Sequence, residues 1–221
     1  PSLLFLSMTK MRDSRARNLM WSLGYSGAFA VSSDGLSGGL AVYWHENCVV
    51  EVLEKDDRHV DALVRVQEGA DQWRITFVYG EPRVENRHLM WAKLQNLKSV
   101  NDLPWLVVGD FNEAMWDFEH FSATPRPEPQ MIAFRDALEV CGLVDLGFSG
   151  VPFTYDNKRS DTNNVRVRLD RAVATNEWRN LFSFAFVHHI LSPCSDHVAV
   201  LLKGEADSGP VGPKQRRYEI F

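Results

Sequence analysis

Short runs in which apolar and polar residues alternate dominate the chain. Residues 3–6 and 39–44 (GLAVYW) read as buried strands, and 49–53 and 60–66 follow, the latter with apolar side chains at alternate positions. Trp73–Tyr79 (WRITFVY) and residues 105–108 (WLVV) are the strongest of the set, and 165–173, 182–187 and 198–202 come later. Period-two alternation with β-branched and aromatic side chains places successive residues on opposite faces of an extended backbone, as a half-buried strand requires. Helical spacing appears in three places. Met90, Leu94 and Leu97 share one face of a segment that also carries Arg87 and Lys98. Met131, Phe134, Leu138 and Cys141 form a second stripe, with Pro129 near its start and Gly142 as its stop. Residues 14–23 form a third helix that stops at Gly24. Strands outnumber helices and several follow one another directly, which predicts an α+β layered sandwich rather than a regular βαβ wheel.

Residues 124–129 (TPRPEP) read as a stiff, exposed loop. The tail after residue 203 is rich in Gly and Pro and charged, and reads as a linker. The expected organisation is one domain over residues 1–203 and a tether, 204–221, leading to a downstream region. With 221 residues, 45% of them hydrophobic, the chain can bury a substantial core without covalent staples. Its net charge of −5 argues against holding nucleic acid by bulk positive charge. It leaves open a phosphodiester-cleaving enzyme, which needs a local acidic metal site as well as basic contacts. Cys48, Cys141 and Cys194 are far apart and form no CxxC pair, so reduced thiols in an intracellular protein are expected. No apolar run approaches the roughly 18 residues of a membrane span, and no signal peptide is visible.

Three constellations could carry chemistry. Val107-Val108-Gly109-Asp110-Phe111-Asn112 ends an apolar run with a carboxylate and an amide two residues apart, so both can point into one cleft. The carboxylate can bind a hard cation or activate water, and the amide can hydrogen-bond a phosphate oxygen without adding negative charge. The same residue types also make turns. Ser195-Asp196-His197 precedes an apolar run, and an Asp beside a His can orient the imidazole, although such a tripeptide also serves as a strand lead-in. Arg168-Leu169-Asp170-Arg171 places Leu169 toward the core and Arg168, Asp170 and Arg171 toward the surface or the cleft, where a solvated strand face reads equally well.

Taken together and in this order, GDFN, RLDR and SDH resemble the endonuclease/exonuclease/phosphatase superfamily. Val78-Tyr79-Gly80, Gly38-Gly39-Leu40-Ala41 and Phe153-Thr154-Tyr155 match further stretches of that family. The wording Tyr79-Gly80-Glu81-Pro82, the RLDRAVA stretch followed by Trp178, and the terminal Arg216-Arg217-Tyr218 look most like the endonuclease module of plant LINE-type (non-LTR) retrotransposons. The resemblance implies a DNase I-like, four-layered α/β/β/α sandwich of two packed mixed sheets, here without its N-terminal strand. It implies a monomeric, metal-dependent phosphodiester hydrolase that nicks DNA, followed by a reverse transcriptase in a longer polyprotein and acting in the nucleus. Asp110 would position or deprotonate the attacking water, and Asn112 would bind the scissile phosphate and steady that aspartate. His197 would contact the non-bridging phosphate oxygen, oriented by Asp170, and Tyr79 would support the leaving group or the phosphate. Arg168 and Tyr155 would touch substrate. Asp196 would sit at the metal, Mg²⁺ or Mn²⁺.

The chain departs from that pattern at its first strand, which should end in a metal-binding glutamate in wording like FLxETK. Here it reads Phe5-Leu6-Ser7-Met8-Thr9-Lys10, with Met8 at the glutamate position. A thioether is a poor ligand for a hard cation, so weak or absent activity is expected. The strand ending at Leu6 is expected to become an unpaired edge. Two other readings stay in view. One is a catalytically dead remnant that keeps nucleic-acid or protein contacts through residues such as Arg159, Arg166, Arg168 and Tyr155. The other is a phosphoinositide, sphingolipid or poly(A) phosphoesterase on the same fold.

Overall fold

Pairing of the apolar runs produces fifteen strands and four helices among the described residues. The structure is a computed structural model describing residues 1–35, 37–66, 71–193 and 195–204. The first half comprises β1 (Leu3–Ser7), α1 (Asp13–Leu23), β2 (Gly27–Val31), β3 (Leu40–Trp44), β4 (Cys48–Lys55), β5 (His59–Val66) and β6 (Trp73–Tyr79). Next come α2 (Arg87–Lys98), β7 (Trp105–Asp110), β8 (His120–Phe121), α3 (Glu128–Val140), β9 (Val144–Asp145) and β10 (Ser149–Gly150). The chain continues through β11 (Tyr155–Asp156), β12 (Arg166–Val167), β13 (Asp170–Ala174), α4 (Asn176–Leu181), β14 (Phe186–Ile190) and β15 (Ala199–Lys203). The expected linker and Cys194 lie outside the described residues, apart from Gly204; Cys48 and Cys141 are free and buried.

One mixed sheet runs in the order β4-β5-β6-β7-β13-β9. Alternation along its strands sorts side chains to two faces. Val78, Trp105, Val107 and Val173 meet Met90, Leu94 and Leu97 of α2 and Phe134, Ala137 and Leu138 of α3. On the other face Val60, Ala62, Val64, Ile75, Phe77, Leu106, Ala172 and Ala174 meet a second sheet layer. That layer consists of two three-stranded pieces, β1-β3-β2 and β10-β14-β15. Leu3 and Phe5 of the first piece, and Val200 and Leu202 of the second, pack on the same inter-sheet core. The opposite face of β1 and β3 (Leu4, Leu6, Ala41, Tyr43) packs on Ala16, Leu19 and Met20 of α1. The order of layers is therefore helix, sheet, sheet, helices, the α/β/β/α sandwich that the resemblance implied. β1 is an edge strand, as expected, and so is β15.

The alternating run 165–173 is not one strand. Residues 166–167 join a small sheet of order β11-β12-β8, whereas β13 pairs with β7 in the large sheet. The break falls at Arg168 and Leu169 because their backbone bonds leave the ladder. The Arg168 amide donates to the Glu119 carbonyl, the Leu169 amide donates to Thr154 Oγ1, and the Leu169 carbonyl accepts from the Phe111 amide. The strand expected at 182–187 begins at Phe186, because α4 runs to Leu181 and a turn from Phe182 to Ala185 follows it. Neither α4 nor β2 was anticipated, both being too short for a clear period.

Gly109 interrupts β7 just before the site. Its φ is +143°, and a Cβ there would come within 2.1 Å of the Val78 carbonyl oxygen on the neighbouring strand. Only glycine lets β6 and β7 approach so closely. Gly109→Ala is expected to lower the unfolding free energy by about 2–4 kcal/mol, read from urea unfolding. An unchanged midpoint would contradict this account of the strand ends.

Candidate active site

Three neighbouring strands end level with one another. In the register of the large sheet, Tyr79 at the end of β6 lies beside Asp110 at the end of β7, and Asp170 at the start of β13 lies opposite Asp110. Each shares its face with residues of the inter-sheet core (Phe77, Val108 and Ala172 respectively), so the row opens at the mouth of the sandwich. The fourth member, His197, arrives from the segment leading into β15. Its Nδ1 lies 2.8 Å from Asp170 Oδ2, and its backbone forms a bridge with Tyr155, whose ring is 5.2 Å away. Asp110, Asp170 and His197 present ligand atoms all within 4.8 Å of one another.

The turn after Asp110 shapes the site. Asn112 adopts a left-handed backbone (φ 54°), which Asn tolerates better than most residues. Its amide donates to Asp110 Oδ1 at 2.7 Å, and its Nδ2 donates to the Gly80 carbonyl (3.0 Å) and to Asp110 Oδ2 (3.2 Å). Both side-chain amide hydrogens are thereby used, so Asn112 steadies Asp110 while its Oδ1 alone stays free for other contacts. Gly80 is required here, since a Cβ would meet the Phe111 backbone at 2.4 Å.

Charges in the mouth perturb one another. Burial raises the Asp110 pKa, and repulsion from Asp170 adds to it, against the opposing pull of His197, the Asn112 amide and Arg87. Burial alone would depress His197, but the hydrogen bond and charge of Asp170, followed by Asp110 and Asp196, raise it to about 9. His197 is therefore an imidazolium at neutral pH, held beside a buried carboxylate that binds protons readily. Burial raises the Tyr79 phenol, as does repulsion from Asp110, so it stays a neutral donor, with the Arg58 guanidinium 5.2 Å from its ring.

One of the expected substrate contacts lies elsewhere. Arg168 is buried rather than facing substrate, because its Nη1 and Nη2 bond Glu119 and Asp145 at 2.9 Å each. Arg171, also buried and not at the surface, binds the same two carboxylates at 2.8 and 2.7 Å. Two arginines and two acids share one pocket, and although burial opposes ionisation, the guanidinium charges hold Glu119 and Asp145 below the usual carboxylate range. Met8, at the end of β1, accepts a hydrogen bond from the Gly38 amide on its sulfur (3.3 Å). Asp196 lies beside His197 but is exposed.

The sequence did not reveal the groups that hold these side chains in place. Thr154, fully buried, accepts the Leu169 and Asp170 amides on Oγ1 (2.8 and 2.9 Å), while its carbonyl accepts from the Val198 amide. One residue thus links the strand of Asp170, through its hydroxyl, to the segment of His197, through its carbonyl. Glu113, buried, pairs with Arg87 (2.5 Å) and with Arg126, whose Nη2 also donates to the Asn112 carbonyl (3.1 Å). Arg126 belongs to the proline-rich stretch, which anchors the turn carrying Asn112. The proximity of TPRPEP to GDFN was the one available signal.

The paired carboxylates fit a divalent cation, since they offer hard oxygens and their mutual repulsion is only partly offset by His197. The thioether of Met8 does not fit one. The sequence matches the Endonuclease/Exonuclease/phosphatase family over residues 9–197, and the chain belongs to that family. No curated protein matches it by sequence. Among solved structures it is similar to the 3′ phosphatase NExo from Neisseria bound to product DNA hairpin, with 17% identity, a TM-score of 0.65, and 94% of this chain and 89% of that one covered. It is similar to the AP endonuclease LMAP from Leishmania major (16%, TM-score 0.65, covering 90% and 77%). It is also similar to the endonuclease domain of TRAS1, a telomere-specific non-LTR retrotransposon (16%, TM-score 0.64, covering 94% and 100%). These likenesses establish the DNase I-like fold.

An NMR titration of the His197 ring is expected to show a midpoint near 9. Because this folded value lies above the unfolded value of about 6.5, the ion pair adds stability that is fully present below pH ~6.5 and is lost as pH rises through about 9. In Asp170→Asn the midpoint should fall by about two units. A wild-type midpoint near 6.5 would remove the ion pair from the account. Thr154→Val should lower stability by about 1–3 kcal/mol through two orphaned amides, measured by chemical denaturation. An unchanged stability would show that the Thr154 hydroxyl does not hold the strand of Asp170 in place.

Proposed function

We propose that this domain hydrolyses DNA phosphodiesters as an endonuclease, in the manner of target nicking by a plant LINE-type retrotransposon, at a rate reduced by Met8. The observation that carries the reading is the placement of Asp110 and the Asp170–His197 pair at one strand-end row. A phosphate lodged there meets an imidazolium on one side and a carboxylate with raised proton affinity on the other. Asp110, buried at the strand end, takes the proton from the attacking water. His197 donates from Nε2 to the non-bridging oxygen as negative charge grows on it, a form of stabilisation that is often the largest catalytic contribution. Asp170 fixes the imidazole and maintains its charge, and Asn112 holds Asp110. Tyr79, kept neutral, hydrogen-bonds the phosphate or the leaving oxygen, and Tyr155 packs beside His197. A Mg²⁺ or Mn²⁺ ion, held by the Asp110 and Asp170 carboxylates with Asp196 beside them, would supply Lewis-acid stabilisation of the departing oxyanion. A chromosomal target puts the site of action in the nucleus.

A second reading rests on Met8. With a thioether at the glutamate position, already bonded to the Gly38 amide, the fold would persist as a nucleic-acid-binding remnant without turnover. One assay separates the two. Met8→Glu is expected to raise Mg²⁺-dependent nicking of supercoiled plasmid at least about tenfold, equivalent to 1.36 kcal/mol of barrier. His197→Ala and Asp110→Asn in that background should return nicking to the level without metal. If folded Met8→Glu protein nicks no faster than those variants, the enzymatic reading fails.

A further inference from the structure

We infer that the space above β7, between the free edges of β1 and β15, is a docking slot for one further polypeptide strand, a short run of apolar, β-branched residues. The slot belongs to the fold and does not depend on the nuclease reading. The second layer follows the large sheet strand by strand. β2 lies on the β4 side, where Lys55 Nζ stands 5.8 Å over the Phe29 ring, and β1 lies on β6, where the Phe5 and Phe77 rings stack at 5.0 Å. β15 packs on β13, and β10, which follows β9 after residues 146–148, keeps its piece of the layer on the β9 side. β6 and β13 are the two neighbours of β7. β1 and β15 are therefore two strand spacings apart, about 10 Å, and no strand among the described residues pairs with either facing edge.

Burial marks the same opening. Phe77, Val108 and Ala172 form one row across β6, β7 and β13. The outer two are 3% and 0% exposed, whereas Val108, in the middle of a six-stranded sheet, is only half-buried. Every residue of β1 is half-buried too, as are Val200, Leu201 and Leu202 of β15. The opening selects its occupant. Each side offers a row of unpaired backbone N–H and C=O groups, and only an extended backbone answers two such rows at once, as in strand addition to a sheet edge. A second copy of the chain does not fit, because its own edge strands are each backed by a neighbour and the slot is one strand wide. The facing strands have five residues each, which sets the length. Val108 forms the floor, and Leu4, Leu6 and Leu201 flank the outer side, so apolar, β-branched side chains suit both faces of the occupant. Asp110 continues the face of Val108 two residues on, so one end of the added strand borders the mouth.

Amide hydrogen exchange of the full 221-residue chain, followed by NMR, tests this with a synthetic peptide of about five Val and Ile residues flanked by Lys pairs. With peptide at about ten times its Kd, amides on the facing edges of β1 and β15 should exchange about tenfold more slowly. Amides of β4, an edge of the other sheet, should keep their rates. The same peptide with Pro at its centre lacks a donor there and should have no effect. Val108→Lys, a change at a half-buried side chain, puts a charge on the floor of the slot and should weaken peptide binding at least about tenfold, with the circular dichroism spectrum unchanged. No slowing at about 1 mM peptide, equal slowing at β4, or equal action of the Pro peptide would each overturn the inference. So would wild-type affinity in folded Val108→Lys. A peptide-free dimer with β1 and β15 already protected would also overturn it, by assigning the opening to a second copy.

Discussion

The antiparallel pairing of β13 with β7 is the constraint on which the rest depends. It sets Asp170 directly opposite Asp110, two carboxylates sharing one mouth, and such a pair is unfavourable unless positive charge is supplied. His197 supplies it from outside the sheet. The imidazole is drawn in by Asp170, and its own proton is retained because it sits between acids. Gly109 and Gly80 make the arrangement sterically possible by letting backbone approach backbone at the strand ends. Electrostatics and architecture are therefore linked, because the charge imbalance at the mouth is also what holds the segment before β15 against the large sheet.

Around this mouth the molecule uses buried charge as structure. Glu119 and Asp145 clamp Arg168 and Arg171, and Glu113 clamps Arg87 and Arg126. Removing one member of such a set strands the others in a dry pocket, which costs far more than the set contributes when intact. These networks join loops that no ladder reaches: the turn after β7, the proline-rich stretch and the segment before β13.

Much of this was legible from the sequence. Apolar runs located β5, β6 and β7 closely, because central strands buried on both faces carry apolar side chains at most positions. The candidate acids stood out because each lies at the edge of an apolar run, which puts it at the end of a strand or just outside it. Arg168 misled because alternation alone cannot tell a solvated arginine from one neutralised by acids some 20–50 residues distant in sequence, as Glu119 and Asp145 are. The same non-locality hid Thr154, whose role depends on amides 15 and 16 residues on. α4 and β2 were too short to show a period, and 165–173 looked continuous because both of its halves are strands, although of different sheets.

The most direct test is a crystal structure of the protein with a short DNA whose target linkage is a slowly cleaved phosphorothioate. The account predicts a backbone phosphate in the mouth, with an oxygen about 3 Å from His197 Nε2 and the Asp110 carboxylate on its other side. DNA bound to another face, with His197 and Asp110 contacting solvent alone, would contradict it.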